Sequence, residues 1–476
     1  MKNSSSVWSI FLIGLICTLS ACDKEEDINS RLISGQVINA ATSEPIANAK
    51  VSILENGPST YSDDNGEFVF TSQDAAASTI EEVNVNGFNG VAVSLSQEDY
   101  RPMEANVNYG EKTILKLAES ASPNFVYNSP IQLNDGINVA TLSAANIDIQ
   151  QIQEGMDKLF TDEYREIHSV LIYKDNQLVL EEYVFGNNDT IEFENGVVVD
   201  DGPAHIQWSR TEKHYVASIN KALTSTLTGI ALAQNGISTQ DKIANYLPAY
   251  SHYFDDPKKA ALSFEDCLTM TSGLQWDEWG KNDLSLLWKS DNFTDFVLSR
   301  EGFGPGYEWR YNSALPNLLL KCIDNMNGGN VREWAHENFY SKLGIEDYKW
   351  QSQPDGYPEG AARMYLRPRD MLKIGITYLN NGVWQDEQVI PESWVNECFK
   401  QKKSTSAGDY SYYFWLRTIG GVSYLSADGD GGNYINIFPE QNMVIVITQG
   451  NYSKWPFYVN QVNDLMGKYI IPAIQE

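Results

Sequence analysis

From about Arg31 to Leu117 hydrophobic and polar positions alternate in short runs, as in Ser34-Gly35-Gln36-Val37-Ile38 and Ala49-Lys50-Val51-Ser52-Ile53-Leu54. Alternation with period two, broken by turn residues, predicts strands with one buried face, so this stretch reads as an all-β module. Asp63-Asp64-Asn65-Gly66 ahead of Glu67-Phe68-Val69-Phe70 is a turn feeding a strand, with Gly66 supplying a positive φ. Residues 120–149 are mixed polar with Pro123 and Pro130 and read as an extended connector.

Beyond it the period changes. Ile149 to Phe160 is amphipathic with helical spacing, and His168–Tyr173, a turn at Lys174–Gln177, and Leu178–Phe185 form a hairpin pattern. A second hairpin pattern, Tyr434–Phe438 and Met443–Thr448 around Pro439–Asn442, stands near the other end, followed by a closing helix from about Val459 to Tyr469. Strand pairs at both ends with long helical stretches between them predict an α+β domain over 150–476. It would be one antiparallel sheet built from both ends of the domain, flanked by helices, with an inserted helical lobe and a cleft between sheet and lobe.

The first residues read differently again. Lys2, the apolar run Ile10–Ile16 and then Leu19-Ser20-Ala21-Cys22 have the form of a bacterial lipoprotein signal. That resemblance implies a signal over 1–21, cleavage before Cys22 and lipid on its thiol, hence an export route to the outer membrane, on its periplasmic face or at the cell surface. The run is too short to span a bilayer, and 22–30 reads as an acidic tether. With a formal charge of −29 the chain repels phosphate backbones, which removes nucleic acid as a partner. Cys267, Cys322 and Cys398 are widely spaced, so neither a disulfide framework nor a zinc site is indicated, and Cys267 and Cys322 sit in apolar helical runs as buried small hydrophobes.

Candidate chemistry begins at Ala217-Ser218-Ile219-Asn220-Lys221, which opens a helix running through Ala233 and stopping near Gly236. Three residues of spacing put Ser218 and Lys221 on one helical face, one turn apart. A serine hydroxyl becomes a useful nucleophile when a neighbour takes its proton, and a helix start favours both a neutral amine and a developing oxyanion. Taken alone, Ser-x-x-Lys is a weak motif, equally read as a serine-capped helix start. Two more segments change that reading: Gly304-Pro305-Gly306-Tyr307-Glu308-Trp309-Arg310-Tyr311-Asn312-Ser313, and Asp428-Gly429-Asp430-Gly431-Gly432-Asn433 leading into the last hairpin.

The order of these three boxes, with Cys267–Leu274 and Leu366–Gly375, resembles the serine β-lactamase and penicillin-binding-protein superfamily, in its class C, esterase and 6-aminohexanoate-oligomer hydrolase branch. The resemblance covers about Gln150 to Ala473. It implies Ser218 as acylated nucleophile, Lys221 as base, Tyr311 as proton shuttle, and the backbone N–H groups of Ser218 and Asn433 as oxyanion hole. No metal and no organic cofactor are implied. Residues 31–119, with Glu44-Pro45-Ile46 and the turn at Gly66, resemble the small β-sandwich found beside metallocarboxypeptidases, which carries a spacer or docking role.

Two departures from the superfamily pattern shape the substrate reading. Ser313 stands where Tyr-x-Asn has asparagine, a shorter hydroxyl that reaches toward Lys221 or substrate, and Asp430-Gly431-Gly432 stands where Lys-Thr-Gly or His-Thr-Gly is usual. An aspartate there repels the carboxylate of a β-lactam or a D-Ala terminus. The expected partner is therefore a small-molecule or short-oligomer ester or amide without a nearby carboxylate. A β-lactamase, a D-Ala-D-Ala carboxypeptidase and a catalytically silent surface binding protein are the alternatives.

Single residues add smaller expectations. His214, four residues before Ser218, reads as a packing or solvent residue rather than a general base. Trp276, Trp279, Trp288 and Trp309 are candidates for an apolar acyl pocket, with core packing as the alternative. Arg367, Arg369 and Asp370 read as a buried ion pair at the helix that starts after Pro368.

Overall fold

The structure is a computed structural model that describes residues 32–474 apart from 55, 71–73, 75–82, 86–87, 162, 189–190, 195–196 and 201–203. The signal, Cys22 and the acidic tether lie outside the described residues. Among the described residues no helix is long and apolar enough to cross a membrane.

The N-terminal module is two facing sheets. One holds Glu67–Phe70, Ile33–Asn39 and Lys112–Leu117; the other holds Ser59–Tyr61, Lys50–Ile53, Phe88–Ser96 and Val83–Val85, with Met103–Asn108 paired to Phe88–Ser96. Alternation sends Val37, Val51, Phe70, Val93 and Leu117 into one shared core. At the turn after Ser62, Asp63 Oδ1 accepts from the amides of Asn65 and Glu67, and Gly66 takes φ +74° with its Cα against the carbonyl of Val37. The expected turn chemistry is what the chain uses.

The connector has little regular structure, yet it is packed. Phe125, Ile131, Ile137, Leu142 and Ile147 are buried, and Arg369 donates to Asp135 at 2.7 Å, to the carbonyl of Ile131 at 2.8 Å and to both carboxylate oxygens of Glu181 at 2.7 and 2.6 Å. Spread among polar residues, these apolar side chains give no periodic signal; tertiary contact alone orders them. A cleft of about 290 Å³ lies where sandwich, connector and second domain meet. It is lined by Arg101, Glu104, Phe125, Glu182 and Trp208, and contains none of the residues singled out for chemistry.

The second domain is built on an eight-stranded sheet in the order Gln177–Tyr183, Ile167–Lys174, Met443–Gln449, Asn433–Phe438, Val422–Gly429, Trp415–Ile419, Gly408–Tyr410, Lys403–Thr405. Every neighbouring pair is antiparallel, and Ile167–Lys174 pairs with Met443–Gln449, so the two ends of the domain meet in one sheet as expected. Asn433–Phe438 and Met443–Gln449 are buried along their whole length, because helices cover both faces.

One of those helices, Ile219–Asn235, runs through the middle of the domain, packed on the helix Leu315–Met326 and on the strand Val422–Gly429. Apolar and small residues on all sides suit that position, and Gly236 ends it in the left-handed conformation, φ +65°. Its N-terminus opens toward the boundary between sheet and helical lobe.

Candidate active site

The segment before this helix is held by a short pairing. His214–Tyr215 lies antiparallel to Met364–Leu366, and the amide of Val216 donates to the carbonyl of Met364 at 2.9 Å. Ala217 then takes φ +47°, a conformation costly for alanine that persists where its surroundings impose it. The amides of Ile219, Asn220 and Lys221 donate to the carbonyls of Val216, Ala217 and Ser218 at 3.2, 3.1 and 3.0 Å, which makes the turn that starts the helix. Ser218 is the N-cap residue, yet its hydroxyl makes no capping bond. Its own amide belongs to the donors that a helix start leaves without an intrahelical acceptor.

Lys221 reaches back along the same face. Its Nζ donates to Ser218 Oγ at 2.7 Å and to the carbonyl of Ala361 at 3.1 Å, and the residue is 2% exposed. Among the described residues Lys221 forms no ion pair within 4 Å. The same Nζ stands 4.9 Å from the centroid of the Tyr311 ring. Serine, lysine and tyrosine from positions 218, 221 and 311 are therefore brought together.

The wall behind Lys221 is the stretch from Glu359 to Arg363. Asn220 Nδ2 donates to the carbonyls of Glu359 and Ala362, and Thr224 Oγ1 to that of Gly360 at 2.7 Å. The fully buried Glu359 side chain accepts from the amides of Ala361 and Ala362 and from Asn317 Nδ2. Arg363, with φ +52°, lies beneath Trp288 and Phe293; burial pulls its guanidinium below the ordinary value against the attraction of Glu359.

Ser313 points elsewhere than toward Lys221. Its Oγ donates to Glu278 Oε1 and its amide to Glu278 Oε2 at 3.0 Å, while Trp276 Nε1 donates to the same Oε2 at 2.6 Å. A buried carboxyl group thus gathers three donors directly behind the Tyr311 box. Sequence reasoning missed Glu278, which is 35 residues from Ser313 and lies in no recognisable pattern.

The third box is the turn joining Val422–Gly429 to Asn433–Phe438. A Cβ on Gly429 would stand 2.2 Å from the carbonyl oxygen of Val216, so the turn begins hard against the segment that leads to Ser218. Gly431 bridges Asn451, and Gly432 donates its amide to the carbonyl of Gly429 at 3.2 Å. Asp430 accepts from the amide of Ser453 at 3.0 Å and from the hydroxyl of Tyr458 at 3.1 Å, so its carboxylate is tied to the loop after the last strand. Asn433 is fully buried, with Nδ2 donating to the carbonyls of Tyr215 and Asp430 at 3.3 and 3.2 Å and Oδ1 accepting from the Gln449 amide.

The four tryptophans divide by burial. Trp276 is 2% exposed and spent on Glu278, and Trp288 packs on Arg363. Trp279 is 75% exposed and stacks on Tyr311 with centroids 5.7 Å apart, and the half-buried Trp309 lies 6.4 Å from the same ring.

His214 is fully buried, stacked on Trp208 at 3.9 Å with Nε2 3.2 Å from Thr448 Oγ1, a packing role. Arg369 makes the buried ion pair, whereas Arg367 turns outward to Asp347 and Asp370 lies 3.8 Å from Lys373. Cys267, Cys322 and Cys398 are buried free thiols, each pushed up by burial. Among the described residues no three His, Cys, Asp or Glu converge as a metal site.

Comparison with known proteins agrees with this geometry. A family model described as Beta-lactamase matches residues 156–463, and one described as a CarboxypepD_reg-like domain matches residues 33–118. The 6-aminohexanoate-dimer hydrolase of Paenarthrobacter ureafaciens is 22% identical over 272 residues, covering 52% of this chain and 67% of that protein. An uncharacterized protein of Alkalihalophilus pseudofirmus is 24% identical over 250 residues, covering 49% and 63%. The chain thus spans about two thirds of the length of these curated relatives.

Among solved structures, a putative 6-aminohexanoate-dimer hydrolase from Bacillus anthracis superposes with TM-score 0.56 at 17% identity, covering 73% of this chain and 90% of that one. A family VIII carboxylesterase gives TM-score 0.52 at 14% identity, covering 67% and 96%. A penicillin-binding protein homologue from Pyrococcus abyssi gives 0.52 at 15%, covering 69% and 79%. With more than half of its length matched by that family model and the fold in agreement, the chain belongs to the beta-lactamase family of hydrolases, preceded by a carboxypeptidase regulatory-like β-sandwich.

Proposed function

We propose that the protein hydrolyses ester or amide bonds through an acyl-enzyme on Ser218. The observation that carries the reading is the 2.7 Å contact between Lys221 Nζ and Ser218 Oγ, with the Tyr311 ring beside the same amine. Lys221 takes the hydroxyl hydrogen while Oγ attacks the carbonyl carbon. The oxyanion is met by the amide of Ser218 and by backbone of the third box, with Asn433 offering its amide because its side chain is committed inward. Collapse breaks the bond to the leaving oxygen or nitrogen, which receives its proton through the Tyr311 phenol. Water then attacks the acyl carbonyl and gives a proton to the same groups; the bond from the acyl carbon to Oγ breaks, the carboxylic acid is released, and that proton returns to Ser218 Oγ.

Asp430 to Gly432 supply no cation for a substrate carboxylate, which favours esters and amides without a nearby carboxylate over β-lactams and D-Ala termini. The names of the relatives, a 6-aminohexanoate-dimer hydrolase and a carboxylesterase, support ester or amide cleavage. The same reading puts the enzyme on a lipid tether at Cys22, exported to the outer membrane; Cys22→Ala should release it from the detergent phase. The test of the chemistry is acid-quenched intact-mass analysis during turnover of p-nitrophenyl acetate. An acetyl adduct on the peptide carrying Ser218 is expected, and its absence during measurable turnover would contradict the mechanism.

A further inference from the structure

We propose that the natural substrate carries an aromatic ring on its leaving side, seated on a shelf of rings that begins at Tyr311. This rests on the hydrolase reading above and adds a substrate class to it. If the Tyr311 phenol hands its proton to the leaving atom, that atom lies within hydrogen-bond reach of the phenol. Whatever is bonded to it must then lie against the rings that adjoin Tyr311.

Those rings form a continuous series. Trp279 stacks on Tyr311 at 5.7 Å and 16°, Trp309 lies 6.4 Å from Tyr311 at 53°, and Trp415 lies 6.2 Å from Trp309 at 63°. All are within the 4.5–7 Å separations that aromatic pairs favour, and the exposed Trp279 is the ring of the series open to a further partner. Trp279 is 75% exposed, a large apolar ring held in solvent against the Tyr311 ring, while Tyr311, Trp309 and Trp415 are half-buried. Glu278, next in the chain to Trp279, is buried and fixed to the Tyr311 box through Ser313, so the stack is anchored at its base.

An aliphatic leaving group can cover the same area, but it gains nothing from ring geometry. An aromatic one gains stacking worth about three- to tenfold. The class that fits is benzyl-type esters and amides of short acyl groups.

The experiment compares kcat/KM for benzyl acetate and cyclohexylmethyl acetate on the full chain. Both release primary alcohols and differ mainly in the planarity of the ring. Benzyl acetate should be favoured about three- to tenfold, and the ratio should fall toward one in Trp279→Leu and Trp309→Leu. A wild-type ratio at or below one overturns the proposal, as does a ratio that survives in both variants. Trp279→Leu decides if the half-buried Trp309 variant does not fold.

If neither ester turns over while a fluorophosphonate still labels Ser218, protection from labelling replaces turnover. Benzyl alcohol slowing the reaction more than cyclohexylmethanol supports the shelf, and equal protection overturns it. Loss of both turnover and labelling in the wild type would instead refute the hydrolase reading itself.

Discussion

The Cα of Gly429 faces the carbonyl of Val216 so closely that an added Cβ would meet the oxygen at 2.2 Å. This contact joins the strand carrying the third box to the segment two residues before Ser218. Neither partner is the end of a flexible side chain, so relief requires moving backbone. Gly429→Ala should cost about 1 to 3 kcal/mol in chemical denaturation. Activity should fall further than stability, by at least about tenfold in kcat/KM, since a shift of about 1 Å at a reacting centre is enough for that. Wild-type activity in a folded Gly429→Ala would mean that this approach does not set the geometry of the site.

Tyr311 has a separable role in the account. Tyr311→Phe keeps the ring that Trp279 and Trp309 pack on and removes only the hydroxyl. The thermal midpoint should move little, and kcat for an alkyl ester should drop by about 10² to 10⁴. A p-nitrophenyl ester, whose leaving group needs no proton, should suffer much less. Equal losses on the two substrates would argue against proton delivery by this phenol.

Glu278 accepts from Trp276 Nε1 and from both the amide and the hydroxyl of Ser313. Glu278→Ala leaves those donors buried without an acceptor and should destabilise the protein by about 2 to 4 kcal/mol. Glu278→Gln keeps one acceptor oxygen and should recover part of that loss. Denaturant midpoints for the two variants measure the difference, and an alanine variant as stable as wild type would show that the cluster is not stabilising.

Asp370 gives a pH signature. Burial, opposed by Lys373 and Arg367, pushes its carboxyl up to about 6. The native state then holds a proton that the unfolded chain has released across the interval from the ordinary aspartate value to about 6. Stability contributed by this group is full below that interval and is lost as pH rises through it. Between pH 4 and 7 the urea midpoint of wild type should fall relative to that of Asp370→Asn, by a free energy on the order of 2 kcal/mol. Parallel curves for the two proteins would contradict the assignment.

How much of this was readable in advance follows from distance along the chain. Ser218 and Lys221 are one helical turn apart, so local geometry alone brings them together, and the hairpins at 167–183 and 433–449 carry their own alternation and turns. Tyr311 is distant, and its place beside Lys221 was legible only through the resemblance of the ordered boxes.

The partners of Ser313 and Asp430 were not legible. Glu278 lies on a separate loop, and the Ser453 and Tyr458 groups that hold Asp430 come from beyond the last strand. Nor does composition separate Trp279 from Trp276. Only burial does, leaving one at 75% exposure against the Tyr311 ring and the other at 2% against Glu278.

Fluorophosphonate labelling rates in wild type, Ser218→Ala and Lys221→Met test the nucleophile and base together. The wild type should be labelled on the peptide carrying Ser218, Ser218→Ala not at all, and folded Lys221→Met at least about a hundredfold more slowly. Labelling that persists in Ser218→Ala, or a folded Lys221→Met labelled at the wild-type rate, would contradict the account.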